Sequence, residues 1–388
     1  MVAALRSLGI HKGDRLLVQS RNTLAMFESC RVAFRLGAVW VPVNFRLTPP
    51  EVAALGASSG AVAMLVDDGF DAHVAAVREA APALRLVIPM GGGKAGELNW
   101  EALVASHLGT DPSETLAAVD DPLWFFHTSG TTGRPKAGML THGQMAFIVT
   151  NHLADLIPGT TEHDVSIAVA PLSHGAGIHA LLNVARGAAT VLLPSEKLDP
   201  ATFWELVERH RVSNLFTVPT IVKMLVEHPA VDAHDHSSLR YMIYAGAPMY
   251  RADQQRALRT LGPVLVQYFG LGEVTGCITV LPPSMHSADD AAPNANVGSC
   301  GRPRTGMEVA ILDEHLRRVS VGEVGEICCR GPGACARYRW PRHVFFWDAL
   351  PKSAYGKISK KDIREQLLAR GELWESTDLG KTRESSTA

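Results

Sequence analysis

The chain has 388 residues and a formal net charge of −2, which gives no global electrostatic case for binding nucleic acid. With 46% hydrophobic and 20% charged residues it reads as a soluble globular protein, long enough for two domains or for one large domain plus a small one. No apolar run nears the length of a membrane span and the N-terminus lacks the layout of a secretory leader, so a cytoplasmic protein without a transmembrane segment is expected.

The segment from Met1 to Leu8 reads as part of an amphipathic helix interrupted by Arg6. Residues 15–20 read as a strand, 22–37 as a helix with apolar residues at helical spacing, and 38–43 as a strand again. Thr48-Pro49-Pro50-Glu51 is a helix start, with capping-box spacing and proline in the first turn. Residues 61–66 form the next predicted strand, and the pattern returns at 165–170, 190–193, 215–218, 242–244 and 264–268. Strand alternating with helix implies parallel sheet covered by helices, with functional loops at the carboxyl ends of the strands. After about Gly276 the texture changes: short β-like segments, Glu308–Leu312 and Glu326–Arg330, sit between Gly/Pro/Asp turns and predict a small antiparallel module. Residues 338–368 read as a strand, the loop PKSAYGKIS and a helix, and 375–388 as a polar tail.

The stretch TSGTTGRPKAG at 128–138 carries the most chemistry. It follows the apolar run Leu123-Trp124-Phe125-Phe126, so a buried strand delivers it to a sheet edge. Its glycines let the backbone approach an anion, its hydroxyls and N–H groups form a nest of donors, and Lys136 adds a point charge. That is the chemistry of gripping a polyphosphate. It is not a Walker A loop, because Gly130, Gly133 and Lys136 are spaced differently and Pro135 precedes the lysine. A second cluster, GGGKAG at 91–96, matches GxGxxG but lacks the strand–turn–helix setting of a dinucleotide site and reads as a surface loop. A dehydrogenase would have to use that loop.

The six cysteines, Cys30, Cys277, Cys300, Cys328, Cys329 and Cys335, contain no CxxC pair and are expected to be reduced thiols rather than metal ligands. The five-residue spacing of His174 and His179 suits shared metal ligation poorly, and His234 and His236 fall in a polar loop. Packing or surface roles are expected for all the histidines except His174.

TSGTTGRPKAG resembles the phosphate loop of the adenylate-forming superfamily: acyl-CoA synthetases, adenylation domains of peptide synthetases, and luciferases. Further stretches match in the same order: PLSH (171–174), YAGAP (244–248), FGLGE (269–273), GRP (301–303), GEICCRG (325–331) and PKSAYGKI (351–358). The resemblance implies an α/β fold: a large multi-layer domain of parallel sheets flanked by helices with a small antiparallel β module (1–333), then a remnant of an α+β lid (334–374) and the tail (375–388). It implies that Thr128, Ser129, Thr131, Thr132 and Lys136, with Gly130 and Gly133, hold the outer phosphates of ATP. Glu273 would bind Mg²⁺, whose charge offsets that developing on pyrophosphate. Phe269 and Gly270 would border adenine, which lies on the backbone of Gly246, Ala247 and Pro248. His174 would flank the acyl carboxylate, and Lys357 would bridge that carboxylate and the α-phosphate during adenylation.

The implied reaction is carboxylate–CoA ligation: an acid and ATP give acyl-adenylate and pyrophosphate, then the thiol of coenzyme A displaces AMP. The partners are therefore a carboxylic acid, ATP and CoA, with a homodimer left open. The small or apolar residues Ala170, Gly175, Ala176, Gly177, Ile178 and Ala247 suit a fatty or aryl acid. An amino acid is disfavoured, because no aspartate lies between Pro171 and Asp199 to pair with an ammonium group and Glu196 falls beyond the motif.

Three departures lead to the expectation of a shortened, weakly active or inactive variant. Gly272 replaces the usual hydroxyl residue, leaving Thr275 or water to take its place. No Thr-Gly-Asp ribose motif follows GEICCRG, and much of the lid with its hinge is expected to be missing. The chain also starts within a helix that relatives precede with further sequence. The alternative reading is a non-catalytic nucleotide- or acid-binding remnant.

Overall fold

The computed structural model describes residues 1–92, 98–112, 115–128, 136–334 and 365. Two units are distinguished: residues 1–127 with 137–340, and residues 128–136 with 341–388. The architecture below is that of the first, with its bounding strand ends.

The predicted alternation resolves into two sheets. The first is formed by β1 (Arg15–Gln19), β2 (Val39–Val43), β3 (Ala63–Val66), β4 (Leu86–Pro89), β5 (Pro122–Thr128) and β6 (Lys136–Thr141), in the order β4-β3-β1-β2-β5-β6. The pairings of β1 with β2 and β3, of β3 with β4 and of β2 with β5 are parallel. Helix α1 (Val2–Ser7) precedes β1, and α2 (Leu24–Leu36), α3 (Pro49–Ser59), α4 (Asp71–Ala80) and α5 (Trp100–Ser106) lie between its strands along the chain. Every residue of β2 and β3 is buried, the mark of parallel strands covered on both faces.

After α6 (His142–Asp155) the second sheet begins. It contains β7 (Val165–Ala168), β8 (Ala189–Leu192), β9 (Asn214–Thr217), β10 (Tyr241–Tyr244), β11 (Leu265–Phe269), β12 (Thr279–Leu281) and β13 (Arg302–Pro303), in the order β13-β12-β11-β10-β9-β7-β8. Strands β7 to β11 are parallel, and β12 and β13 add on antiparallel. The intervening helices are α7 (Gly175–Ala185), α8 (Pro200–His210), α9 (Pro219–Glu227), α10 (Ala230–Ala233) and α11 (Arg251–Leu261). Strands β14 (Glu308–Leu312) and β15 (Glu326–Arg330) form a separate two-stranded antiparallel sheet. The change of texture after Gly276 thus has two outcomes. The wholly buried Thr279–Leu281 extends the second sheet, and only the half-exposed Glu308–Leu312 and Glu326–Arg330 stand apart.

Local chemistry sets the element ends. The Thr23 hydroxyl accepts from Met26 N and starts α2, which Gly37 ends at φ +72°. Thr48 N donates to Glu51 Oε2 at 2.8 Å, as the capping spacing predicts. At the junction of β6 and α6, Thr141 and Gln144 exchange side-chain and backbone bonds of 2.9 and 3.2 Å. The core of the first sheet centres on Trp40 and Trp124, edge-to-face at 4.6 Å, and that of the second on Phe203 and Trp204 at 4.9 Å.

One buried cation ties α6 to the strands of the second sheet. The Arg304 side chain is fully buried, donates to His152 Nδ1 at 2.9 Å and lies 3.7 Å from the Asp155 carboxylate. Arg304 N also bonds Ile278 O at 3.1 Å, beside β12. Its Nε and Nη1 have no hydrogen-bond partner among the described residues.

Gly177, in the first turn of α7, is held to glycine by contact: a Cβ there would stand 2.0 Å from Leu172 O. Gly177→Ala is expected to lower the free energy of unfolding by about 1–3 kcal/mol, read from the midpoint of urea denaturation.

Candidate active site

In open parallel sheets, ligands bind beyond the carboxyl ends of strands where the strand order reverses. In the first sheet this happens between β1 and β3, and in the second between β7 and β9. The chain leaves β1 at Ser20-Arg21-Asn22, its neighbour β2 at Asn44-Phe45-Arg46, and β7 at Val169-Ala170-Pro171. A cleft of about 200 Å³ lies here, lined by Arg21–Thr23, Phe45, Arg46, residues 168–171 and residues 193–196.

Asn22 closes the base of the cleft. Its side-chain nitrogen donates to Ala170 O at 2.9 Å, and its side-chain oxygen accepts from Leu172 N at 2.9 Å. One carboxamide therefore links the β1–α2 loop of the first sheet to the PLSH segment of the second. Arg21 is fully engaged: it bonds Glu196 Oε2 at 2.8 Å and Asp68 O at 3.1 Å, and stacks over Phe70 at 4.7 Å. Arg46 is exposed, with its guanidinium 4.7 Å from the Phe45 ring and no carboxylate partner among the described residues. Finding Arg21, Arg46 and Asn22 requires the strand order, which a linear pattern does not contain.

His174 is the N-cap of α7. Its ring meets Phe126 edge-to-face at 5.7 Å, and Nδ1 shares a 2.9 Å hydrogen bond with Ser173 Oγ. Burial lowers its pKa, so the ring is neutral at pH 7. Close enough to feel its charge, though far away in sequence, stands a histidine that carries no motif. His127, the penultimate residue of β5, is half-buried with Nδ1 unpartnered. Desolvation drives its pKa down to about 4, and the neighbouring His174 adds to the fall. The small residues after PLSH do not leave open space: a Cβ on Gly175 would stand 2.6 Å from the Phe216 ring, and Ala176 and Ile178 are buried. His179 is a buried core residue whose Nε2 meets Asn214 Oδ1 at 2.7 Å, and His234 pairs with Glu208 at 2.7 Å.

The YAGAP segment follows β10. Tyr244 is buried and its hydroxyl meets Gln267, His286 and Gln254 at 3.0–3.1 Å. Beyond it Gly246 (φ +82°), Ala247 and Pro248 are exposed, forming a backbone shelf at a strand's carboxyl end.

The FGLGE segment follows β11. Gly270 is required by close approach, since a Cβ would stand 2.2 Å from the Gly276 carbonyl carbon. Gly276 N bonds Leu271 O at 2.8 Å and closes a tight loop around the 3₁₀ turn Gly272–Val274. On that turn Glu273 is half-buried, and its carboxylate has no ion pair or hydrogen bond among the described residues. Phe269 is half-buried against Val274, Ile278 and Ala334. Thr275 is buried and its hydroxyl bonds Val274 O at 2.6 Å, so it is not placed to stand in for the hydroxyl missing at Gly272. Strand β6 passes close by: a Cβ on Gly138 would be 3.8 Å from both Gly272 O and Phe126 O.

Thr128 ends β5 and Lys136 begins β6, which adjoin in the first sheet. Ser129, Gly130, Thr131, Thr132 and Gly133 between them lie outside the described residues, as do Lys357 and Cys335. Gly91 and Gly92 follow β4, an edge strand away from the reversal, and Gly92 N bonds Asp68 at 3.3 Å; Gly93–Gly96 lie outside the described residues. The other five cysteines are free thiols, and no group of three metal-ligating side chains occurs among the described residues. No helix among them is long and apolar enough to cross a membrane.

The two-sheet α/β fold thus places the start of β6, the unpaired Glu273 carboxylate and the exposed backbone of Gly246–Pro248 at strand ends. The model of the AMP-binding enzyme family matches residues 1–339, and the chain belongs to that family. It is 33% identical over 340 residues to a feruloyl-CoA synthase of Amycolatopsis sp, covering 87% of this chain and 64% of that one. Among solved structures it resembles the amide bond synthetase McbA of Marinactinospora thermotolerans (26% identity, TM-score 0.75, covering 86% of this chain and 64% of that one). It also resembles the inhibitor-bound N-terminal domain of FACL13 from Mycobacterium tuberculosis (25% identity, TM-score 0.73, covering 86% and 80%). The chain spans 64% of the length of the feruloyl-CoA synthase.

Two predictions concern this site. Asn22→Ala removes both arms of the inter-sheet clip and is expected to cost about 1–3 kcal/mol in urea denaturation. The buried neutral histidines make stability fall with acid. His127 and His179 titrate at about 4 folded and near 6.5 unfolded, so the unfolded chain binds more protons between those values and stability rises with pH across that window. Going from pH 7 to pH 5 should cost about 2 kcal/mol for each of the two, and His127→Gln should flatten the slope accordingly.

Proposed function

We propose that the chain binds ATP and a carboxylic acid and joins them as an acyl-adenylate with release of pyrophosphate, the thiol of coenzyme A then displacing AMP. The observation that carries this reading is the approach of Gly138 to Gly272 O, which brings the strand leaving the phosphate loop against the turn that holds the free Glu273 carboxylate. A half-buried, unpaired carboxylate there suits a hard cation. Glu273 would hold Mg²⁺, which would supply charge to balance that gathering on pyrophosphate.

The rest falls to the chain's own groups. The shelf Gly246–Pro248 offers exposed backbone for a planar base. His174, neutral, presents a polar ring beside Phe126 where the acid would lie, without a fixed positive charge to trap the carboxylate. The loop 128–136 would hold the outer phosphates, with Lys136 as the cation, and Lys357 would face the pentavalent centre. Arg46 at the mouth of the cleft offers a cation to an anionic co-substrate. An aryl or fatty acid is the proposed substrate class, supported by the feruloyl-CoA synthase relative and by the absence of an aspartate near PLSH. Slow turnover is proposed as well, because GEICCRG is followed by PKSAYGKI with no Thr-Gly-Asp between them.

Pyrophosphate release with a panel of aryl and fatty acids tests the reading. Acid-dependent release with acyl-adenylate formed supports it, and no binding of ATP by calorimetry refutes it. Turnover in the ordinary range of roughly 1–1,000 per second would refute the proposed slowness. Glu273→Gln should weaken Mg²⁺-dependent ATP binding on the order of tenfold or more, while leaving the thermal midpoint near that of the parent.

A further inference from the structure

The sheet of β14 and β15 has one covered edge and one open edge. On the β14 side, Val319 N bonds Ile311 O at 3.1 Å and Asp313 N bonds Arg317 O at 2.8 Å, so residues 317–319 blunt that edge. Because the Ile311 carbonyl faces away from β15, Ile311 and its partner Ile327 form a non-hydrogen-bonded pair in the ladder. The N–H and C=O groups of Ile327 and Cys329 therefore point outward from β15, and none of them meets a partner among the described residues. An open edge of this kind is a template for another strand.

The sequence of β15, Glu326-Ile327-Cys328-Cys329-Arg330, is complementary to itself when reversed. We propose that β15 pairs antiparallel with β15 of a second copy of this chain, about a twofold axis at Cys328, to give a continuous four-stranded sheet. In that register Ile327 faces the partner's Cys329 and exchanges both backbone bonds with it, satisfying the outward groups. Glu326 faces the partner's Arg330. Arg330 already bonds Glu308 at 2.6 Å on the same face, so the rows across the sheet alternate in sign: Glu308, Arg330, then the partner's Glu326. On the other face Val309, Cys329, the partner's Ile327 and the partner's Ile311 form an apolar row, which covers an Ile327 side chain now 44% exposed. Gly325 meets the partner's Gly331, where no side chain obstructs the approach. A five-residue ladder is a small interface, so the dimer is weak and reversible.

The twofold places Cys328 opposite its own copy in a non-hydrogen-bonded pair, with Cα atoms about 4.5 Å apart, inside the range a disulfide spans. Diamide is the probe: it takes up the two protons and two electrons released as two Sγ–H bonds are replaced by one Sγ–Sγ bond.

The test uses the full chain in sedimentation velocity. The parent should self-associate, and Glu326→Arg and Arg330→Glu should each weaken self-association on the order of tenfold or more by setting like charges opposite each other twice. Mixing the two variants should restore a heterodimer, because both pairs again have opposite sign; this recovery also shows that both variants are folded. Diamide should give a covalent dimer that Cys328→Ser abolishes and Cys329→Ser retains. A parent that stays monomeric at every soluble concentration, as it would if another segment of its own chain covered the edge, overturns the proposal. So does a dimer indifferent to both reversals, or a diamide link that survives Cys328→Ser.

Discussion

The two sheets meet at their functional edge through one side chain. The Asn22 carboxamide donates to Ala170 and accepts from Leu172, using both ends of a rigid planar group. Parallel sheets have no covalent reason to present their reversal points side by side, and this link makes the β1–α2 loop and the PLSH loop a single wall. The cleft, the Arg21–Glu196 pair across it and the seating of His174 all depend on that wall. A hydroxyl at position 22 would reach only one of the two backbone groups.

The second constraint is backbone against backbone. Gly270 packs on Gly276, and Gly138 lies within contact distance of Gly272 O. A side chain at Gly270 would drive into the Gly276 backbone and displace the turn that carries Glu273. Gly138 instead marks how near β6 runs to that turn, since a Cβ there would stand 3.8 Å from Gly272 O, an ordinary contact distance.

Local signals survived translation into structure far better than non-local ones. Glu308–Leu312 and Glu326–Arg330 form strands with the boundaries their turn residues imply, and α2 begins and ends at Thr23 and Gly37 because capping is a short-range interaction. Strand β6 was not legible, since Lys136–Thr141 has little alternation and follows a loop-like run. Nor was the division into two sheets, which depends on pairings between residues far apart in the chain. The small residues Gly175 and Gly177 look like the lining of a pocket, yet Phe216 and the Leu172 carbonyl occupy the space a Cβ would need. In the same way Arg21 and Arg46 carry no motif, and acquire meaning only when β1 is seen to flank the reversal with β2 beside it.

The Arg304–His152 contact has a consequence for how the molecule comes apart. His152 is held far below its usual titration range by burial first and by the Arg304 charge second. A proton forced onto that ring would put two cations in contact within the core, where the Asp155 carboxylate already lies 3.7 Å from Arg304. The weak seam of the molecule therefore runs between α6 and the strands beyond it. Since α6 follows directly from β6, partial opening along this seam would loosen that strand from the turn carrying Glu273 while the tryptophan-centred core of the first sheet stayed shut.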